Sequence, residues 1–237
     1  MNTQQGPLLR GQINQFQSLG TVDGPGLRYV VFMQGCPLRC IYCHNPETWN
    51  RAGGESYTVD EVLEKILRCR AYLSGGLTVS GGEPLLQSPF VTELFTHLQQ
   101  EGLHTALDTS GIGDMTCAEA LLSVTDLVLC DLKFATAADY LKYTGGRLDQ
   151  VLAFLSLTEK KRIPLWIRHV VVPGLTADPE YIGEIRRLAS HYSNLEKIEL
   201  LPFRKLCTAK YEALDLPFPL ADTPECSREL LDQLNAK

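Results

Sequence analysis

Short apolar, β-branched runs recur along the chain at 27–33, 77–80, 104–108, 127–132, 165–172 and 197–201. Each is too short for a helix and is bounded by Gly, Pro, Asp or Ser, so they predict six strands. Helical spacing fills the gaps. Thr58 and Glu61 predict a capping box ahead of Val59, Leu63, Ile66 and Leu67, which share one face. Ser88-Pro89 and Asp178-Pro179 each predict a capping side chain followed by Pro at the first helical position, ahead of the stripes Phe90, Leu94, Phe95, Leu98 and Ile182, Ile185, Leu188, Tyr192. Strands alternating with helices imply parallel pairing through right-handed crossovers, with helices covering the sheet. Six such units fall short of the eight that close a TIM barrel, which points to an α/β fold of the open, partial (β/α)6 TIM-like barrel type. A doubly wound flat sheet is compatible with the same string. No repeat, low-complexity tract or linker divides residues 1–237, so one domain is expected.

Composition narrows the function classes. The chain has 22 Lys+Arg against 28 Asp+Glu, a net charge of 22 − 28 = −6, so no broad basic patch for nucleic acid is implied. One of the longest uncharged stretches, 71–82, reaches 12 residues and contains Gly, whereas a bilayer span needs about 20 apolar residues. The start MNTQQGPLLRGQINQF lacks the charged and apolar regions of a secretory signal, and a cytoplasmic, reducing location is expected. In that setting the crowding of three of the eight cysteines into positions 36–43 reads as metal or redox chemistry.

The unusual residues fall directly after the predicted strands. After the first come Cys36, Cys40 and Cys43; after the second, Gly81-Gly82-Glu83; after the third, Asp108-Thr109-Ser110-Gly111. The fourth ends on Asp131 and Lys133, the fifth carries Arg168, and the sixth exits through Pro202, Phe203 and Arg204. Parallel α/β folds build their sites on the rim formed by strand carboxyl ends, so six constellations there predict a single site.

The spacing C-x3-C-x2-C can turn three thiolates toward three corners of a [4Fe–4S] cluster and leave the fourth iron open. Structural zinc would need a fourth ligand from another Cys/His pair, which Cys69, Cys117, Cys130, Cys207 and Cys226 do not supply. A c-type haem string at Cys40–His44, or a dithiol at Cys40 and Cys43, would leave Cys36 unexplained. His44 is set awkwardly beside Cys43 to share a metal. Other features keep plainer alternatives: a tight turn for Gly81-Gly82-Glu83, a turn cap for Asp108 and Thr109, and ion pairs for Asp131, Lys133 and Arg168.

Taken together, GTVDGPGLRYVVFMQGCPLRCIYCHNPETW, SGGEPLLQ, LDTSG, LVLCDLK, WIRHVVVPG and KIELLPF resemble the radical S-adenosylmethionine (SAM) superfamily. Within it the likeness is to the minimal, single-cluster activases of glycyl radical enzymes, those acting on pyruvate formate-lyase in particular. The resemblance implies one [4Fe–4S] cluster on Cys36, Cys40 and Cys43, reductive cleavage of SAM, and abstraction of a hydrogen from a glycine Cα of the partner enzyme. It implies SAM contacts from Tyr42, His44, Asn45, Gly81, Gly82, Glu83, Asp131, Leu132 and Lys133. It further implies a monovalent cation near Asp108, Thr109 and the Leu129 carbonyl, partner-loop contacts from Asp23 and Arg168, and flavodoxin or ferredoxin as reductant. Arg204 stands where relatives carry His, so it is expected to stack on the adenine instead. Activation of a different glycyl radical enzyme, or a non-catalytic iron–sulfur or zinc scaffold, are the alternative functions.

Overall fold

The computed structural model describes residues 9–236. In chain order its elements are β1 (Arg10–Gly20), β2 (Arg28–Met33), β3 (Glu55–Thr58), α1 (Val59–Leu67), β4 (Gly76–Gly81), α2 (Ser88–Gln100), β5 (Thr105–Thr109), α3 (Met115–Leu122), β6 (Leu127–Asp131), α4 (Ala137–Thr144), α5 (Leu148–Lys160), β7 (Leu165–Val171), α6 (Pro179–Ala189), β8 (Leu195–Pro202), α7 (Thr208–Ala213) and α8 (Arg228–Asn235). The eight strands form one sheet in the order β3-β1-β2-β4-β5-β6-β7-β8. The six predicted strands are the parallel block from β2 to β8. Two further strands, β1 and β3, extend the β2 edge with antiparallel pairing.

Side chains leave the two faces of this sheet in alternation. On β7, Leu165, Ile167, His169 and Val171 are buried while Trp166, Arg168 and Val170 are only partly so. The first set joins the main core between sheet and helices, with Phe90, Leu94, Phe95 and Leu98 of α2 and Ile182 and Ile185 of α6. A second, small cluster of Ala106, Leu127, Leu129 and Trp166 lies apart from it. Register explains that cluster, since Ala106 pairs with Leu127 and Leu129 with Trp166 across neighbouring strands. It fills the concave side of the sheet, and the polar residues further along the same strands form the layer above it.

The capping box forms as expected: Glu61 N–H donates to Thr58 Oγ1 (3.2 Å) and Thr58 N–H to Glu61 Oε2 (2.7 Å). Asp178 likewise caps α6 through Oδ1. Ser88 does not cap α2. It is the first helical residue, its hydroxyl donates to the Leu85 carbonyl (2.8 Å), and a 3-10 turn at Pro84–Gln87 leads into the helix.

Beneath the rim, Arg28 is fully buried at the start of β2. Its guanidinium donates to Thr78 Oγ1 (2.6 Å) and to the carbonyls of Pro25 (3.1 Å), Gly75 and Leu77. Burial lowers its pKa to about 10, so it remains a cation at neutral pH. Thr78 in turn donates to the Asp23 carbonyl (2.6 Å), which fixes the loop entering β2 against the concave face.

Candidate active site

The rim encloses a cavity of about 360 Å³, within the range of small-molecule sites. Its lining brings together Cys36, Cys40 and Cys43 from the β2 loop, Gly81 and Gly82 from β4, Asp108 and Thr109 from β5, and Asp131 and Lys133 from β6. Asp23, Arg168, Tyr42, His44 and Asn45 are also on its walls, whereas the expected Glu83, Leu129, Leu132 and Arg204 side chains are not. Three carboxylates thus face two cations around one space.

The cysteine loop is held from several directions. Arg39 N–H donates to the Thr144 carbonyl (2.7 Å) and Ile41 N–H to Tyr143 (3.0 Å), which hangs the loop on the end of α4. Cys43 N–H turns back to the Cys40 carbonyl (3.0 Å). Burial pushes the Cys36 thiol up to about 11 and the Cys40 thiol up to about 12, and raises Cys43 as well. A loop that buries three thiols fits a cationic group that stabilises their thiolates. Among the described residues no three His, Cys, Asp or Glu side chains converge on one ion's position. Cys36, Cys40 and Cys43 all lie on the cavity wall, where three thiolates suit three irons of a cluster.

Gly81 and Gly82 do a different job from the one expected of them alone. A Cβ on Gly82 would stand 2.2 Å from the Gly35 carbonyl oxygen, and one on Gly81, at φ +112°, would stand 2.2 Å from Met33 N. Their bareness lets the end of β4 lie directly on the start of the cysteine loop, with Gly82 N–H donating to Met33 (2.9 Å) and Glu83 N–H to Gly35 (2.8 Å). Both glycines still present backbone to the cavity.

Glu83 points away from the cavity and is fully buried. Its carboxylate accepts from Thr109 Oγ1 (2.5 Å), Ser110 N–H (2.8 Å), Ser110 Oγ (2.5 Å) and Leu85 N–H (3.0 Å). It therefore rivets the β4 exit to the β5 exit, and no oxygen faces a ligand. Leu132 is also fully buried among core residues, and only its backbone acts near the site, through the carbonyl that accepts from His169 Nδ1 (2.8 Å).

Across the rim the registers line up a chain of polar contacts. Ser80 Oγ donates to Asp108 Oδ2 (2.6 Å), Arg168 reaches the same oxygen (3.2 Å), and Glu199 lies 3.6 Å from Arg168. Asp108 keeps Arg168 firmly cationic despite burial. Lys133 pairs with Asp131 at 2.8 Å, as the two-residue spacing on an extended segment predicts; the partnership holds Lys133 protonated against the cost of burial. Thr109 spends its hydroxyl proton on Glu83, and the Leu129 side chain lies in the inner apolar cluster. A cation beside Asp108 would have to share the carboxylate with Arg168.

Arg204 is turned out of the cavity. Its guanidinium donates to the Cys226 carbonyl (2.6 Å) and lies 3.6 Å from Glu225. Only its backbone meets the site, where the Arg204 carbonyl accepts from His44 Nε2 (2.9 Å). Residues on the wall and behind it carried no signal of their own in the sequence. Trp49 lines the cavity beside Cys43, and Lys210 of α7 donates to Asn45 Oδ1 (2.8 Å) and Glu47 Oε1 (2.5 Å). Trp49 could have been noticed as the last residue of the CHNPETW string.

Comparison with known proteins decides the family. The model of the Radical SAM superfamily matches residues 30–188, which include all three rim cysteines. The chain belongs to the radical SAM superfamily. A pyruvate formate-lyase-activating enzyme of Clostridium pasteurianum is 44% identical over 225 residues, covering 94% of each chain. Another, from Staphylococcus aureus strain USA300, is 42% identical over 225 residues, covering 91% of this chain and 90% of its own. Among solved structures, a domain of a pyruvate-formate lyase-activating enzyme from Bacteroides vulgatus superposes with a TM-score of 0.56 at 22% identity, covering 69% of this chain and 92% of the domain. SuiB of Streptococcus suis bound to S-adenosylmethionine gives 0.64 at 17% identity over 85% of this chain and 44% of SuiB. These radical SAM structures share the open α/β barrel. Membership of that superfamily brings a [4Fe–4S] cluster and SAM as cofactors.

Proposed function

We propose that this radical SAM protein activates pyruvate formate-lyase by taking a hydrogen from a glycine Cα of that enzyme and leaving a glycyl radical on it. The observation that carries the reading is the convergence, on one rim, of three buried thiols with Asp131, Lys133, Asp108 and Arg168 around a single small-molecule cavity. The names of the relatives, matched over more than 90% of this chain, supply the partner. When bound, a [4Fe–4S] cluster supplies one electron to the SAM sulfonium and so opens the route to an adenosyl radical.

The residues of this chain bind and orient. Cys36, Cys40 and Cys43 hold three irons. Lys133, kept protonated and aimed by Asp131, pairs with the SAM carboxylate as a point charge. The backbone of Gly81 and Gly82 borders the amino group, and Tyr42, His44 and Asn45 border the adenosyl part. The excess of one carboxylate over the cations suits a ligand that carries a sulfonium and an ammonium against one carboxylate. Asp23 and Arg168, both on the cavity wall, receive the partner's glycine loop, whose binding closes the site to water. A monovalent cation beside Asp108 and a flavodoxin or ferredoxin reductant complete the proposal.

The test is anaerobic. Reconstituted protein is mixed with reductant, SAM and pyruvate formate-lyase, and the glycyl radical is read by electron paramagnetic resonance. A radical that depends on SAM and is lost on changing Cys36, Cys40 or Cys43 to Ala is expected. A radical formed only on another glycyl radical enzyme would reassign the partner, and none on any would end the activase reading.

A further inference from the structure

The indole N–H of Trp49 is buried and has no well-aligned hydrogen-bond acceptor. That is costly for a donor with only one hydrogen to place, and it asks for an explanation. The side chain lines the cavity together with Cys43, with its N–H within reach of that sulfur. The ring is clamped in place. Arg39 lies over it at 5.0 Å, Tyr211 meets it edge-on at 5.9 Å and 86°, and the 3-10 turn Pro46–Thr48 sets its backbone. That turn is itself tied to the start of the cysteine loop, because Gly35 N–H donates to the Thr48 carbonyl (2.8 Å) and Gln34 Nε2 to that of Glu47 (2.9 Å). Loop and indole therefore move as one unit.

We infer that Trp49 donates its indole hydrogen bond to the Cys43 thiolate of the bound cluster and raises the cluster's reduction potential. The inference rests on the cluster reading above. A donor at a ligand sulfur stabilises the more electron-rich, reduced state, which is among the levers by which proteins set iron–sulfur potentials. It also leaves the indole satisfied, where the thiol-bearing protein leaves it without an aligned partner.

Two measurements test this. Indole-¹⁵N-tryptophan labelling marks two nitrogens, Nε1 of Trp49 and of Trp166, and Trp166 is engaged with Glu196 Oε2 at 3.3 Å. Pulsed electron paramagnetic resonance of the reduced wild-type cluster should show a ¹⁵N coupling; its absence overturns the assignment without requiring any variant to fold. Second, Trp49→Phe keeps the ring and removes the donor. At matched iron and sulfide content its reduced-to-oxidised ratio at a fixed potential should fall about tenfold, a shift of about 59 mV for one electron, and Trp49→His should recover part of it. An unchanged potential in Trp49→Phe overturns the inference. Wild-type protein that takes up no iron or sulfide refutes the cluster reading itself, and this inference falls with it.

Discussion

Arg204 shows how a single side chain is misjudged by position alone. Its place after the last strand puts its backbone on the rim, but the Cys226 carbonyl and Glu225 claim the guanidinium. The side chain that lines the cavity here is instead His44, steadied by the Arg204 carbonyl. The expected consequence of Arg204→Ala is therefore on the C-terminal segment. A partly exposed, charge-assisted bond to a carbonyl is worth about 0.5–1.5 kcal/mol after solvent screening, so unfolding free energy should drop by that amount while SAM affinity stays within about twofold. Isothermal titration and urea unfolding on the same preparations decide it, and a tenfold loss of SAM affinity would return Arg204 to the ligand.

Glu83 poses the same question at the scale of elements. The Gly-Gly-Glu string is visible in the sequence, and a carboxylate beside a cationic ligand is the obvious reading. The structure instead gives three of its four accepted bonds to β5 and the following turn and the fourth to Leu85 N–H. Nothing local to residues 81–83 announces partners 26 and 27 positions away, which is why the sequence misleads here. Glu83→Gln places an amide donor against hydroxyl and N–H donors, a buried mismatch costing about 1–3 kcal/mol. Lower stability at full cluster content, with SAM affinity nearly unchanged, is expected from denaturant titration and binding. Undiminished stability with weakened SAM binding would make Glu83 a ligand contact after all. The same contrast explains which strands were legible. Most of the parallel block reads as apolar runs such as LVLC and WIRHVVV, whereas β1, RGQINQFQSLG, spends its length on Gln, Asn and Ser. β3 is only four residues long and half exposed.

At the scale of the whole molecule, the site is one polar layer laid across the carboxyl ends of neighbouring strands. Ser80, Asp108, Arg168 and Glu199 are linked from β4 to β8. That layer was legible as six separate constellations; what the sequence does not contain is which members neutralise each other. Among the described residues no helix is long and apolar enough to cross a membrane. The wiring changes how delivery to the partner is best tested. Arg168→Ala leaves Asp108 without its cation in a largely buried layer, and losing one member of such a pair costs about 3–5 kcal/mol, so its loss of activity would mix folding with function. Asp23 is the cleaner probe, because its carbonyl, which anchors the loop to Thr78, survives substitution. Asp23→Asn is expected to keep cluster content and SAM affinity and to lower glycyl radical yield on the partner at least tenfold, whereas Lys133→Ala should lose SAM binding first. Iron analysis, SAM titration and radical yield on each preparation separate the two. Should Asp23→Asn lose SAM affinity in step with radical yield, Asp23 would belong to the cofactor side of the cavity and the partner's grip would have to lie elsewhere on the rim.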